Sequence, residues 1–457
     1  MSDANTRSSP GPIATTALGI VHPEDALSVP QTLAAGFQHV IAMFGGTVLG
    51  PLLMGFDTNV AIFFSGIATL IFYAVLGGRV PSYLGSSFSF IGAVIAATGW
   101  APQTGGMTVL NPHIDIALSG IIAAGAIYAT TGLIAMATGT GWIERLLPPV
   151  LTGTIVAIIG LNLAPVCIGE ISKNSFTQVM GLCTLLLMAI LAVCFPLGSA
   201  PRRMSILIAA VIAYAMYYLA ANLGLARMIG LEPTDPIVFT EIANAPWIGL
   251  PQFTAPAYSP SAIALIAPVA IVLVAENLGH IKAIGGMLGR ERQFNGLIGR
   301  AFLADGLATV VSASCGGTGV TTYAENMGVM RVTGNFSTRT FVVAALFAIL
   351  LGLSPKLGAL VRTIPLPVIG GLSFVIFGII TAVGIGIWVQ NHIDFTRSRT
   401  LITIGTALVI GSGNLTINLG GFAFGGIATA TFAAIILYHV LGLVDVNARE
   451  DTAAPPG

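Results

Sequence analysis

Long runs without Asp, Glu, Lys or Arg dominate the chain: 26–56, 58–78, 80–114, 116–143, 146–169, 174–201, 204–226, 242–275, 306–324, 340–355, 363–393 and 400–444. Most reach the ~20 apolar residues that a helix needs to cross a bilayer. The last is long enough for two spans, divided by the turn-like Gly411-Ser412-Gly413-Asn414. A further short span fits 318–330, interrupted by Glu325. The pattern predicts an all-α polytopic membrane protein with fourteen transmembrane segments.

Charge placement tests that count. With the N-terminus inside, fourteen spans put Lys173, Arg227, Lys356 and Arg362 outside and the other fourteen of the 18 Lys and Arg in the cytoplasm. This is the bias expected of inner loops, and dropping one span would flip every later loop and spoil it. Both termini are expected in the cytoplasm and the chain in the cytoplasmic membrane. The halves also echo each other: Pro149, Val150, Gly153 and Gly160 recur 218 residues later as Pro367, Val368, Gly371 and Gly378. Two sets of seven spans force the second set upside down. Such inverted repeats characterise secondary transporters, whose sites lie near the midplane where the repeats meet.

Composition narrows the class. Of 457 residues, 55% are hydrophobic and 36 are charged, where a soluble chain of this length would carry about 114; mean hydropathy is +0.91. Soluble, disordered and coiled-coil readings are excluded. Net charge is zero, so nothing marks a nucleic-acid partner. The four cysteines form no C-x-x-C pair and read as small apolar residues. The N-terminus lacks a basic stretch leading straight into an apolar run, so no cleaved signal peptide is expected; nor is an appended soluble domain. No H-E-x-x-H, Walker A or G-x-S-x-G constellation occurs, and the six dispersed His offer no metal-ligand spacing. The expectation is no enzyme, no metal and no cofactor.

The polar residues inside the spans carry the chemistry. Short Gly-interrupted segments at matching positions of two repeats point to a transporter's binding site. Two such segments are Ser-Tyr-Leu-Gly-Ser-Ser-Phe-Ser-Phe-Ile-Gly at 82–92 and Gly-Thr-Gly-Val-Thr-Thr-Tyr-Ala-Glu-Asn-Met-Gly at 317–328. Phe88 and Glu325 lie 237 residues apart, and Gln38 and Glu276 lie 238 apart, nearly one offset. Glu276, Asp305 and Glu325 fall within spans. An acid there costs ~2.5–3.5 kcal/mol on an insertion scale and is by default a functional candidate. Glu276 and His280, four apart, share one helical face. Asp305 serves equally well as packing glue, and Gln38 with His39 as an interhelical anchor.

These segments carry a resemblance. Glu325-Asn326-Met327-Gly328 through Thr333-Gly334 is similar to the signature of nucleobase–ascorbate transporters. QHVIAMFG, YLGSSFSF, AENLGH and TTYAENMGVM resemble stretches of the bacterial uracil and pyrimidine permeases of that family, and the likeness runs from about residue 28 to 442. It implies a seven-plus-seven repeat with short extended breaks in segments 3 and 10. A core domain would comprise 26–138 and 242–353, a gate domain 139–226 and 354–442, with cytoplasmic tails 1–25 and 443–457. It implies a homodimer through the gate. At the site it places the carboxylates of Glu276 and Glu325 on the nucleobase, with backbone amides of Phe88 and Ala324, the Phe88 ring, Ser87 and Gly46. Glu276, His280 and Glu325 would couple a proton, with His280 bonded to Glu276. Gln38, His39, Asp305, Tyr323 and Asn326 would support them. Two residues depart from the uracil-permease pattern: Ala324 replaces a common Gly, and Asp305 replaces an Asn, as in purine-carrying branches. The implied activity is uracil import by proton symport. A purine permease, a facilitative channel and, less well, an anion exchanger are the alternatives.

Overall fold

The computed structural model describes residues 20–100, 109–196, 204–233, 235–419 and 422–444. Arg7, Arg202, Arg203 and Arg449, counted in the charge bias, and most of both tails lie outside them. Among the described residues eight helices are long and apolar enough to cross a membrane. They are α1 (Val29–Met54), α2 (Thr58–Leu76), α4 (Ile114–Thr138), α5 (Pro149–Ile171), α6 (Ser175–Cys194), α8 (Pro260–Leu288), α13 (Leu366–Gln390) and α15 (Gly426–Val444). A ninth passes only as the pair α11 (Thr338–Gly352) and α12 (Pro355–Arg362), bent by 79°. Shorter helices are α3 (Phe88–Thr98), α7 (Ser205–Ala221), α9 (Ile298–Ser314), α10 (Ala324–Thr333) and α14 (Ser398–Ser412). The divide expected at 411–414 is there: α14 ends at Ser412, and a hairpin of β3 (Ile417–Leu419) and β4 (Phe422–Phe424) leads into α15.

The helices sort into two packing groups. In one, α4 packs on α9, α2 on α11 and α9, and α1 on α11; in the other, α13 packs on α5 and α6, α14 on α15 and α5, and α7 on α6. Lighter contacts of α8 with α5 and α15, and of α1 with α7, join the two. Lipid tails are as apolar as leucine, so burial alone does not press these helices together; close backbone approach does. The α4–α9 seam shows it. A Cβ added to Gly306 would overlap the Ala129 backbone nitrogen, and one on Gly132 would overlap that of Leu303. On the outside of α6, Leu182, Leu186, Ile190 and Val193 are exposed at helical spacing, as a lipid-facing stripe should be. Gly306→Leu should therefore force α4 and α9 apart. The expected result is loss of monodisperse protein in detergent size-exclusion chromatography, while a leucine replacing exposed Val193 leaves the profile unchanged.

Candidate functional site

The two Gly-interrupted segments do not run as helices through the first group. Leu84–Ser86 (β1) and Val320–Thr322 (β2) are strands, paired antiparallel with Leu84 opposite Thr322 and Ser86 opposite Val320. The Ser87 N–H donates to the Gly319 carbonyl (2.9 Å) and the Tyr323 N–H to the Tyr83 carbonyl (3.0 Å), extending the pair at both ends. The residues explain the choice: Gly, Ser, Thr and Val are weaker helix formers than Ala or Leu. Extended backbone at membrane depth survives only where its polar groups are satisfied, and neighbouring hydroxyls do this. Thr69 Oγ1 of α2 accepts from the Leu84 N–H (2.9 Å), and Thr309 Oγ1 of α9 from the Val320 N–H (3.2 Å). Ser312 donates to the Thr318 carbonyl (2.7 Å). Tyr323 Oη donates to the Ser86 carbonyl (2.9 Å) and accepts from Thr47 of α1 (3.3 Å).

Helices α3 and α10 start where these strands stop. At Phe88 and Ala324 their first N–H groups have no intrahelical acceptor, and the positive ends of the helix dipoles lie at the crossing. Helix α8 runs beside it, touching the first turn of α3, β2 and α10. From α8, Glu276 accepts a hydrogen bond at Oε2 from Ser89 Oγ (3.3 Å). Glu325 sits in the first turn of α10, within electrostatic reach of Glu276. Both acids are partly exposed and Ala324 is open. The Phe88 ring meets Phe377 of α13 edge-on, centroids 5.8 Å apart, so it touches the second helix group. The arrangement offers carboxylate acceptors and backbone donors on a site bounded by an aromatic ring. That combination can accept from the N–H groups and donate to the carbonyls of a flat, uncharged, polar ring.

Other expected site residues stand behind this surface. The bond foreseen between His280 and Glu276 is not made: His280 Nδ1 pairs with Thr322 Oγ1 at 2.8 Å, and Glu276 with Ser89. A shared helix face does not bring two side chains together when a strand presents a nearer hydroxyl. Ser87, expected at the ligand, is fully buried, and its hydroxyl caps the first turn of α3 by accepting from the Ser89 N–H (3.3 Å). Gly46 is also buried. A Cβ there would stand 3.3 Å from the Tyr323 ring, so this glycine makes room for Tyr323. Asn326 Nδ2 reaches Nδ1 and the carbonyl of His39 (3.0 and 3.1 Å), tying α10 to α1. Gln38 is half-buried one residue earlier on α1. Asp305 is 0% exposed, and its Oδ2 accepts from Asn277 and from Tyr128 Oη (3.4 Å). These bonds tie α9 to α4 and to the turn of α8 that carries Glu276. Among the described residues no cluster of three His, Cys, Asp or Glu could hold a metal ion.

Sequence reasoning missed Ser89, Thr322, Asn277, Tyr128, Thr47 and Phe377. Ser89, Asn277 and Thr322 lie within stretches already singled out, but no spacing rule gives their partners. Nothing local marks Phe377.

Comparison with known proteins gives this geometry a family. Residues 30–420 match the profile of the Permease family that includes the xanthine and uracil permeases. A protein of Escherichia coli (strain K12) named as a pyrimidine permease, RutG, is 51% identical over 438 residues, 95% of each chain. The uracil permease of Paenibacillus larvae is 34% identical over 437 residues, 93% of this chain and 97% of its own. That of Escherichia coli (strain K12) is 34% identical over 431 residues, 92% and 94%. Among solved structures, murine Slc26a9, an anion transporter in an inward-facing state, superposes with a TM-score of 0.64 at 13% identity, covering 92% of this chain and 70% of its own. The transmembrane domain of the cyanobacterial bicarbonate transporter BicA gives 0.57 at 15% identity, covering 91% and 98%. These two share the fold. The chain belongs to the permease family of nucleobase–ascorbate transporters and is a multi-pass membrane transporter, not an enzyme.

Proposed function

We propose that this permease imports uracil, and related pyrimidines such as thymine, in symport with a proton across the cytoplasmic membrane. The observation that carries the reading is the pair Glu276 and Glu325 beside the free N–H groups that open α3 and α10. Uracil has ring N–H donors between carbonyl acceptors. Carboxylates accept from the former and helix N-termini donate to the latter, so the site matches the base edge in polarity. An analogue lacking one ring N–H leaves a buried acceptor unpaired and is rejected. Pyrimidine and uracil permeases at 51% and 34% identity support the substrate class. The purine alternative rests on Asp305 and on the spare glycines; Asp305 is fully buried with its Oδ2 bonded to Asn277 and Tyr128, which favours the pyrimidine reading. An anion substrate, suggested by the fold alone, would be repelled by two carboxylates.

Each helix from α1 to α15, with α11 and α12 taken as one, is a single pass in this reading, which makes fourteen. The first packing group belongs to the core domain (26–138 and 242–353) and the second to the gate (139–226 and 354–442), with α12, the bent end of the pass that α11 begins, on the gate side of the boundary. The hydroxyls of Thr69 and Thr309, serving matching strands, support an inverted repeat. Both tails face the cytoplasm, the core slides against the gate to alternate access, and two copies meet through the gate. Uptake of an uncharged base against a gradient needs a coupled ion. One proton moving through 100 mV releases about 2.3 kcal/mol, roughly a 50-fold gradient.

The test is uptake of radiolabelled uracil by cells lacking their own uracil transport. Expected are accumulation above the external concentration, its collapse with a protonophore, and competition by thymine but not xanthine. Equilibration without accumulation would mean a channel, and stronger competition by xanthine a purine permease.

A further inference from the structure

We infer that Ser89 is the positioning residue for Glu276, selecting which carboxylate oxygen faces the substrate; this rests on the proposed nucleobase site. Ser89 is 1% exposed in the first turn of α3, and its Oγ lies 3.3 Å from Glu276 Oε2. The Ser89 N–H is itself held by Ser87 Oγ, which fixes the turn from which the hydroxyl points. Glu276 accepts no other side-chain hydrogen bond among the described residues. The Ser89 hydroxyl therefore occupies Oε2 and leaves Oε1 for a ring N–H of the base.

The other acid is held differently. Glu325 accepts no side-chain hydrogen bond among the described residues and is set by its place in the first turn of α10. The second broken segment sends its own hydroxyl, from Thr322, to His280 of α8. Helix α8 is thus gripped once from each break, and only the grip from α3 falls on a substrate acceptor. Because Ser89 and Phe88 are adjacent on one turn, the carboxylate oxygen and the Phe88 N–H are registered to each other. This sets the spacing of an acceptor–donor pair that a pyrimidine edge must match.

The experiment compares Ser89→Ala and Ser89→Thr in the full chain, with three readouts: kinetics of uracil uptake in transport-deficient cells, uracil affinity of purified protein, and thermal stability in detergent. Loss of the hydroxyl that orients the Glu276 carboxyl is expected to raise KM and Kd about tenfold. Ser89→Ala should do so with the maximal rate and the melting temperature within twofold and about 2 °C of the parent. Ser89→Thr, which keeps the hydroxyl, should restore both constants to within about threefold. Unchanged KM and Kd in Ser89→Ala, or an equal loss in Ser89→Thr with stability intact, would overturn the inference. A parent protein that neither binds nor takes up uracil would instead overturn the proposed function.

Discussion

Glu276→Gln is expected to lower uracil affinity by about 100-fold or more, with protein yield and detergent stability preserved. The substitution keeps volume and shape but turns one acceptor oxygen into a donor NH2. Ser89 still needs an acceptor, so the amide oxygen turns toward it and the NH2 is left facing a ring N–H. Donor against donor in a site sheltered from water is worse than a missing bond, and discrimination of this kind commonly reaches 10⁴-fold or more. Glu325→Gln should behave differently. Among the described residues its carboxylate has no hydroxyl on it, so the amide can turn its oxygen to the base and affinity should fall less, about tenfold. Accumulation driven by a pH gradient should nevertheless fail if Glu325 carries the proton. Binding to purified protein and uptake under an imposed pH gradient separate the two effects. Full gradient-driven accumulation by Glu325→Gln would assign the proton elsewhere.

Asp305→Ala is expected to destabilise the folded permease by about 2–4 kcal/mol, while Asp305→Asn keeps both stability and uracil uptake. Side-chain hydrogen bonds between membrane helices average only ~0.6 kcal/mol, because the unfolded chain in the membrane also finds partners. Asp305 is a harsher case. Truncation strands two donors at once, the Asn277 amide and the Tyr128 hydroxyl, at a position with no solvent contact. An asparagine oxygen can accept from both. Its amide also adds a donor to a cluster in which Asn277 Oδ1 accepts nothing. Thermal unfolding in detergent and competition by xanthine check the pair. A switch of Asp305→Asn toward or away from purines would give Asp305 a direct role in substrate choice.

Much of this architecture was legible because lipid imposes a simple rule on backbone. Charge-free stretches located the long helices, and Gly, Ser and Thr inside them located the two breaks, at 84–86 and 320–322. Glu276 and Glu325 stood out because acids are costly there. What stayed hidden were contacts made by residues too ordinary to notice. Ser89 reaches a carboxylate 187 residues away, and Asn326 a histidine 287 residues away. Serine is common at membrane depth, and only the folded chain shows which one faces an acid. The expected His280–Glu276 bond failed for a related reason: helical spacing fixes which face a side chain occupies, not which partner another element offers it. Ser87 and Gly46 were placed at the ligand on resemblance; only the folded chain shows that Ser87 caps α3 and that Gly46 leaves room for Tyr323.

The strand pair has a consequence for biosynthesis. Tyr323 donates to a carbonyl 237 residues earlier. At ~5–20 residues per second, the ribosome delivers that partner on the order of ten to fifty seconds after Ser86 has left the tunnel. Until then only part of that strand's backbone has a partner, Thr69 for the Leu84 N–H, and the rest is backbone that the bilayer cannot solvate. Truncated chains ending before residue 320 should be cleared by membrane proteases, and the two halves made as separate polypeptides should accumulate only when synthesised together.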